Sequence, residues 1–177
     1  MIECRGIYYQ AIKEVFPHIT EILTPELAPH FEGDIDPAAW YDARPYLETV
    51  RYLIEHISPG CMALLGGHLA GIAEDNFKQF GVDSTRRLAE ILPEVYRNNV
   101  RGEEAGEWIV EEYKPGRAVI RETAITANVD FVSGVLRGGL EALGACNIRI
   151  SVLDERNAGA AANRYLVEWI EPPGGPG

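Results

Sequence analysis

The chain has 177 residues, 46% of them apolar, which is enough for one well-buried core. Its 16 basic and 27 acidic side chains give a net charge of −11, and this balance argues against nucleic acid and anionic membrane surfaces as partners. No apolar run approaches the roughly 20 residues that span a bilayer, and the N-terminus lacks a secretory pattern, so we expect no membrane insertion and a cytoplasmic location.

The N-terminal third is predicted to be helical. Apolar residues recur at helical spacing at Ile7, Ala11, Val15, Ile19 and Ile22. Pro17 is expected to kink or restart this helix near its middle. Thr24-Pro25 and Asp36-Pro37 each place a capping side chain before a proline, which predicts two short helices between residues 25 and 42.

Three longer helices are predicted in the middle of the chain. The first begins at Ala43, and the second begins at the cap Ser58-Pro59, runs to about Phe80 and ends at Gly81. The third follows the cap Asp83-Ser84, and Pro93 is expected to break it or to start another turn.

From residue 107 onward the hydrophobic period changes from 3.6 to 2. Residues 108–113 and 118–123 alternate around the turn sequence 114–117 and predict a hairpin, and residues 148–152 and 165–169 predict a second pair of strands. A glycine-rich helix over 131–144 separates them. The order predicts an α+β fold of N-terminal helices followed by hairpin–helix–hairpin, with a small antiparallel sheet covered by helices. We expect one domain over 1–170 and a disordered tail over 171–177.

The glycine-rich helix carries a resemblance to known proteins. The pattern Phe131-x-x-Gly134-x-Leu136-x-Gly138-x-Leu140, followed by an alternating strand and a terminal Tyr-x-Val-x-Trp strand, resembles the fold family shared by 4-vinyl reductase domains, haem nitric oxide/oxygen-binding domains and TRAPP vesicle-tethering subunits. The resemblance is strongest to the 4-vinyl reductase branch. It implies a ligand-binding module, often sensory and frequently dimeric, with an apolar pocket between helices and sheet. The chain lacks the Tyr-x-Ser-x-Arg motif that holds the haem carboxylates in such domains, so its cofactor stays unknown.

The candidate ligand-binding residues lie on the two helices after Ala43. They are Tyr52, His56, Cys61, Gly67, His68 and Gly71. Glycines within a helix each cost about 1 kcal/mol relative to alanine, so either a ligand or close helix packing must offset that cost. Tyr52 and His56 are one turn apart and are expected to share a face.

Cysteines and histidines give weaker signals. Cys61 falls in the first turn of its predicted helix, where backbone amides can lower a thiol pKa, although a free cysteine is more often a small buried apolar residue. His68 is a conceivable metal or haem ligand, but no second ligand is placed by the sequence, so we expect no metal site. Three widely spaced cysteines are consistent with reduced thiols.

These observations predict a sensory or regulatory domain without catalytic turnover. It would bind a small apolar molecule and signal by a conformational shift to a second subunit in a homodimer or to a separate signalling protein. Two alternatives remain open at this point. One is an enzyme or accessory protein acting on a tetrapyrrole, and the other is a non-catalytic assembly subunit.

Overall fold

A computed structural model describes residues 1–58, 60–72, 77, 80–126 and 128–171. The described helices are α1 (Ile7–Val15), α2 (Ile19–Ile22), α3 (Ala43–His56), α4 (Cys61–Ile72), α5 (Thr85–Asn99) and α6 (Val129–Ala142), with 3-10 turns at Ala28–Phe31 and Arg156–Ala158. The described strands are β1 (Glu3–Arg5), β2 (Trp40–Asp42), β3 (Val100–Arg101), β4 (Trp108–Lys114), β5 (Arg117–Glu122), β6 (Cys146–Asp154) and β7 (Asn163–Ile170). Over these residues no helix has the length and apolar content needed to cross a membrane.

The C-terminal half forms the predicted sheet. Strands β4, β5, β7 and β6 pair antiparallel in that order, and α6 connects the two hairpins. The α+β fold class is therefore confirmed. The expected disordered tail lies outside the described residues except for Glu171.

A second sheet was not predicted. Strands β2, β1 and β3 pair antiparallel in that order and join the N-terminus to the segments before α3 and after α5. These strands have only two or three residues each, so alternation of apolar and polar residues cannot develop within them. Their pairing joins segments that are distant in the sequence, so no local pattern predicts it.

Two local predictions were wrong. Between residues 25 and 42 the chain forms one 3-10 turn and β2, because Asp36 caps only a turn, accepting from the Ala38 N–H at 2.8 Å, before the chain pairs with β1. Pro93 does not end its helix, and α5 continues through it to Asn99. A proline removes one helical N–H, here the donor to the Ala89 carbonyl, and packing of α5 on β4 offsets that loss.

Helices α4 and α6 touch backbone to backbone. A Cβ added at Gly66 would lie 2.0 Å from the Phe131 carbonyl oxygen, and one added at Gly134 would lie 2.2 Å from the carbonyl oxygen of Ala63. A Cβ added at Gly138 would lie 2.8 Å from the carbonyl oxygen of Gly67. Close helix packing is therefore the reason for glycine at positions 66, 134 and 138.

We predict that Gly134→Ala destabilises the protein by about 1–3 kcal/mol, although alanine favours helices by about 1 kcal/mol, because the added methyl meets backbone that cannot rotate away. Gly71→Ala is the matched control, since no atom from another part of the described chain lies within 4 Å of the Cβ that alanine would add there. Its unfolding free energy should stay level or rise slightly. Chemical denaturation measures both, and equal stability of the two variants would contradict the close-contact explanation.

Asp42 is the N-cap of α3. Its Oδ1 accepts from the Arg44 N–H at 3.0 Å, and its Oδ2 accepts from the Arg44 Nε at 2.8 Å. These hydrogen bonds to the Arg44 side chain and backbone lower the pKa of Asp42 from its ordinary 3.8 to about 2. The charged form of the Asp42 carboxylate thus stabilises the start of α3.

We predict that Asp42→Asn changes the pH dependence of stability. Because the folded pKa is below the unfolded value, the charged cap contributes above about pH 4, and its contribution is lost as the pH falls from about 4 to 2. Asparagine also caps helices but does not titrate. The wild-type stability advantage over Asp42→Asn should be constant from pH 7 to 5 and should shrink below about pH 4, as measured by urea unfolding at each pH. An advantage that does not change with pH would contradict this assignment.

Candidate functional site

An apolar cavity of about 120 Å³ lies between the helices and the sheet. Helix α5 contributes Leu88, Leu92 and Val95, helix α6 contributes Phe131, Leu136 and Leu140, and the sheet contributes Ala118, Ile120 and Val167. Leu69 and Ala70 of α4 and Ile7 and Tyr8 of α1 line it as well. The cavity therefore lies where the N-terminal helices meet the C-terminal sheet.

Small side chains leave this space open. Gly139 of α6, Ala118 of β5 and Ala89 of α5 all line the cavity. A Cβ at Gly139 would reach only Leu88, at 3.4 Å, and Phe77, at 3.8 Å. Leu88 and Phe77 belong to a second apolar cluster, beside the main core. The cavity lies where these two clusters meet without filling the space between them.

Two of the polar side chains at the cavity wall are already engaged. The Tyr96 hydroxyl donates to the Ala105 carbonyl at 2.5 Å and accepts from the Ile125 N–H at 3.2 Å. The Thr85 hydroxyl donates to the Glu171 carboxylate at 2.9 Å. Burial raises the pKa of Tyr8 and of Tyr96, so both phenols stay protonated. Among the residues that the structure describes, no charged side chain lines the cavity.

Two tryptophans at the cavity wall have unpaired donors. Trp108 of β4 is 5% exposed and Trp169 of β7 is 7% exposed, and both line the cavity. The indole Nε1 of each is buried and has no hydrogen-bond partner in the described part of the chain. Buried N–H groups are nearly always paired in folded proteins, so these two are exceptions.

A buried glutamate lies on the cavity side of the sheet, next to residues that line the cavity. Glu122 is fully buried, and its Oε1 accepts from Asn163 Nδ2 at 2.6 Å and from the Tyr165 hydroxyl at 3.1 Å. Its Oε2 accepts from the Ala124 N–H at 2.5 Å, and Ala124 lines the cavity. Glu122 was not predicted to be buried, although alternation with Ala118 and Ile120 places it on the core face of β5.

The six residues predicted from the sequence do not line the cavity. Tyr52 and His56 do share a face, with ring centroids 4.1 Å apart, but Tyr52 is half-buried against the main core outside the cavity and His56 is exposed. His68 Nε2 lies 2.7 Å from the Glu14 carboxylate of α1 at a partly exposed site. Ligand binding at these positions stays a prediction.

The remaining three lie on α4. Gly67 is half-buried, and a Cβ added there would lie 3.7 Å from the Gly134 carbonyl oxygen, whereas Gly71 is exposed. Cys61 begins α4, and burial raises its pKa more strongly than the hydrogen bonds with the Ser58 and Cys61 backbone lower it. The raised thiol pKa agrees with the interpretation of Cys61 as a small apolar residue and does not support the alternative of a lowered pKa. Pro59, Glu74 and Asp75, which entered the prediction for this helix, lie outside the described residues.

A surface groove lies on the other side of α5. Arg86, Glu90 and Arg97 of α5 line it, together with residues of β4. Ala89 and Trp108 line both this groove and the apolar cavity. Helix α5 is thus the layer that separates the cavity from this part of the surface.

Crystal structures of H-NOX proteins share this fold. The H-NOX protein from S. oneidensis in the Fe(II)NO state has 13% identity and a TM-score of 0.71, covering 93% of this chain and 98% of that one. The Fe(II) unliganded H-NOX protein from K. algicida has 13% identity and a TM-score of 0.66, covering 97% and 100%. An oxygen-binding H-NOX domain related to soluble guanylate cyclases has 12% identity and a TM-score of 0.67, covering 94% and 92%. The haem-domain part of the predicted resemblance is thereby confirmed for the fold, and the closer likeness to 4-vinyl reductase domains stays a prediction.

Sequence comparisons identify the family. No curated protein matches the chain significantly. The family described as "Protein of unknown function (DUF2378)" matches residues 4–170, which include every described helix and nearly all of the described strands. The chain therefore belongs to the DUF2378 family.

Proposed function

We propose that this protein is a sensory or regulatory domain that binds a small apolar molecule in the cavity between α5, α6 and the sheet. The observation that carries the proposal is a cavity of about 120 Å³ with an apolar described wall in a fold shared with H-NOX proteins. Apolar cavities of about 150 Å³ stay dry and bind molecules such as benzene or xenon. The size limits the ligand in this conformation to a few heavy atoms or to a slender molecule.

The proposed signal passes through α5. This helix covers the cavity on one side and forms the surface groove on the other, with Ala89 lining both. Pro93 leaves the Ala89 carbonyl without its helical donor, so α5 can shift at lower cost than an unbroken helix. A ligand that binds one position of α5 more tightly would move the population toward it and change the surface offered to a second subunit or a signalling protein.

Haem does not fit the described residues. The solved H-NOX structures include Fe(II) and oxygen-bound states. In this chain none of the four histidines lines the cavity, and the described wall offers no cation to a porphyrin carboxylate. Tyr8 and Tyr96 are held as neutral phenols. A volume of about 120 Å³ is also well below the range of about 300–1,000 Å³ typical of sites for larger organic ligands.

Exposed apolar side chains are what supports the assembly-subunit alternative. Leu64 of α4 is 64% exposed and Ile57 is 46% exposed. A stable complex with no ligand in the cavity would support that function. A ligand that copurifies with the protein and is detected by native mass spectrometry would support the sensory one.

We predict that Ala118→Leu weakens benzene binding at least about tenfold, because the larger side chain fills part of a cavity the size of one small molecule. Ala63→Leu is the matched control, since Ala63 is an exposed residue of α4 that does not line the cavity. Its affinity for benzene should equal that of the wild type. Chemical-shift titration measures the affinities, and circular dichroism checks that the variants fold. Equal benzene binding by Ala118→Leu and the wild type would place the ligand elsewhere.

We also predict that the purified protein shows no Soret band and that added haemin produces no saturable Soret shift. The physical reason is the lack of an axial ligand and of a carboxylate-binding cation in the described cavity wall. Absorption spectroscopy during a haemin titration makes the measurement. Stoichiometric haemin binding, abolished by substitution of a single histidine, would show that the domain opens to a haem-binding form.

A further inference from the structure

We infer that the ligand of the apolar cavity carries a neutral hydrogen-bond acceptor, such as a ketone, ester or ether oxygen, that receives the indole N–H of Trp108 or Trp169. This inference rests on the proposed function and specifies the chemistry of the ligand. It depends on two donors that are buried and unpartnered among the described residues and that belong to side chains lining the cavity. A pure hydrocarbon would leave both donors unpaired, whereas a ligand oxygen would pair one of them.

Tyr8, Thr85, Tyr96, Asn99 and Thr126 are the polar side chains of the described cavity wall, and the hydroxyls of Tyr96 and Thr85 are already engaged, which leaves them little capacity to hold a water. A buried water usually makes two to four hydrogen bonds. Near Trp108, the Tyr96 hydroxyl already donates to Ala105 and accepts from Ile125. Near Trp169, the Thr85 hydroxyl is bonded to Tyr113 and Glu171. A ligand oxygen attached to an apolar frame needs only the indole, because apolar contacts hold the rest of the molecule.

The two tryptophans lie at opposite ends of β5. Trp108 pairs in register with Glu122 of β5, whereas the backbone N–H of Trp169 donates to the Gly116 carbonyl just before β5 begins. Six residues of strand separate these positions, a distance of about 20 Å along the backbone. A small ligand with a single acceptor therefore engages one of the two tryptophans.

The residues that line the cavity also determine which ligand charge is favoured. The described lining contains no lysine, arginine or histidine to pair with a carboxylate, and no aspartate or glutamate to pair with an amine. An ion buried without a partner is strongly disfavoured. The ligand class is thus neutral and mostly apolar, with an oxygen acceptor.

The test compares cyclopentanone with methylenecyclopentane, which have nearly the same shape and differ in replacing the C=O by C=CH2. If the cavity wall offered no donor, cyclopentanone would bind more weakly than methylenecyclopentane, because the ketone loses its hydrogen bonds to water. The wild type should bind the ketone at least as tightly as the alkene. Trp108→Phe or Trp169→Phe should shift the affinity ratio by about 5- to 10-fold toward the alkene, as expected for one lost hydrogen bond.

The affinity ratio separates hydrogen bonding from volume, since the space opened by Trp→Phe acts on both probes alike. Trp40→Phe is the control, because Trp40 lies between Arg5 and Arg101 on the other sheet and does not line the cavity. Its ratio should equal the wild-type ratio. If both probes bind but the ratio is the same in all four proteins, the acceptor inference is overturned while the proposed function stands. If neither probe binds any of the four proteins, the proposed function fails and this inference fails with it.

Discussion

The contact between the backbones of α4 and α6 is the constraint on which the rest of the fold depends. Gly66 and Gly134 each face a carbonyl oxygen of the opposite helix at a distance that excludes any side chain. The same two helices connect the halves of the molecule, since α4 packs on α1 and α6 packs on the sheet. Helices that approach this closely cannot slide independently, so the N-terminal helices and the C-terminal sheet keep a defined spacing.

That spacing also explains why a cavity persists. The face of α6 that meets α4 is filled by backbone, while its other face carries Gly139 and Leu140 toward α5 and the sheet. Because α6 is fixed by α4, it cannot move toward α5 to fill the space. The remaining contact across the space is made by α5, whose Pro93 weakens its own hydrogen bonding. One wall is therefore held in place by α4, and the other depends on α5.

Ion pairs cover the far side of the sheet. Arg121 and Arg164 form ion pairs with Glu107, Glu111 and Asp154 on the face opposite the cavity. The bulge at Val110/Glu112 shifts the register of β4 beside this network. Exposed pairs contribute little stability individually. On the inner face the buried Glu122 side chain is hydrogen-bonded, and the strands line the cavity with alanine, isoleucine, valine and tryptophan.

The sequence alone determined the helices and strands that depend on local interactions. Periodicity predicted α1, α3, α6 and both hairpins, because each buries one face along its own length, and capping predicted the start of α5 at Ser84. The cavity could not be predicted in this way, since its wall joins residues as distant as Ile7 and Trp169 and depends on side chains that fail to meet. The glycines of α4 were singled out correctly as unusual, yet only the position of α6 showed that Gly66 serves packing while Gly71 faces open space. The unpaired indole N–H groups of Trp108 and Trp169 likewise became visible only in the tertiary structure. Whether a donor is paired depends on the neighbours that folding places around it.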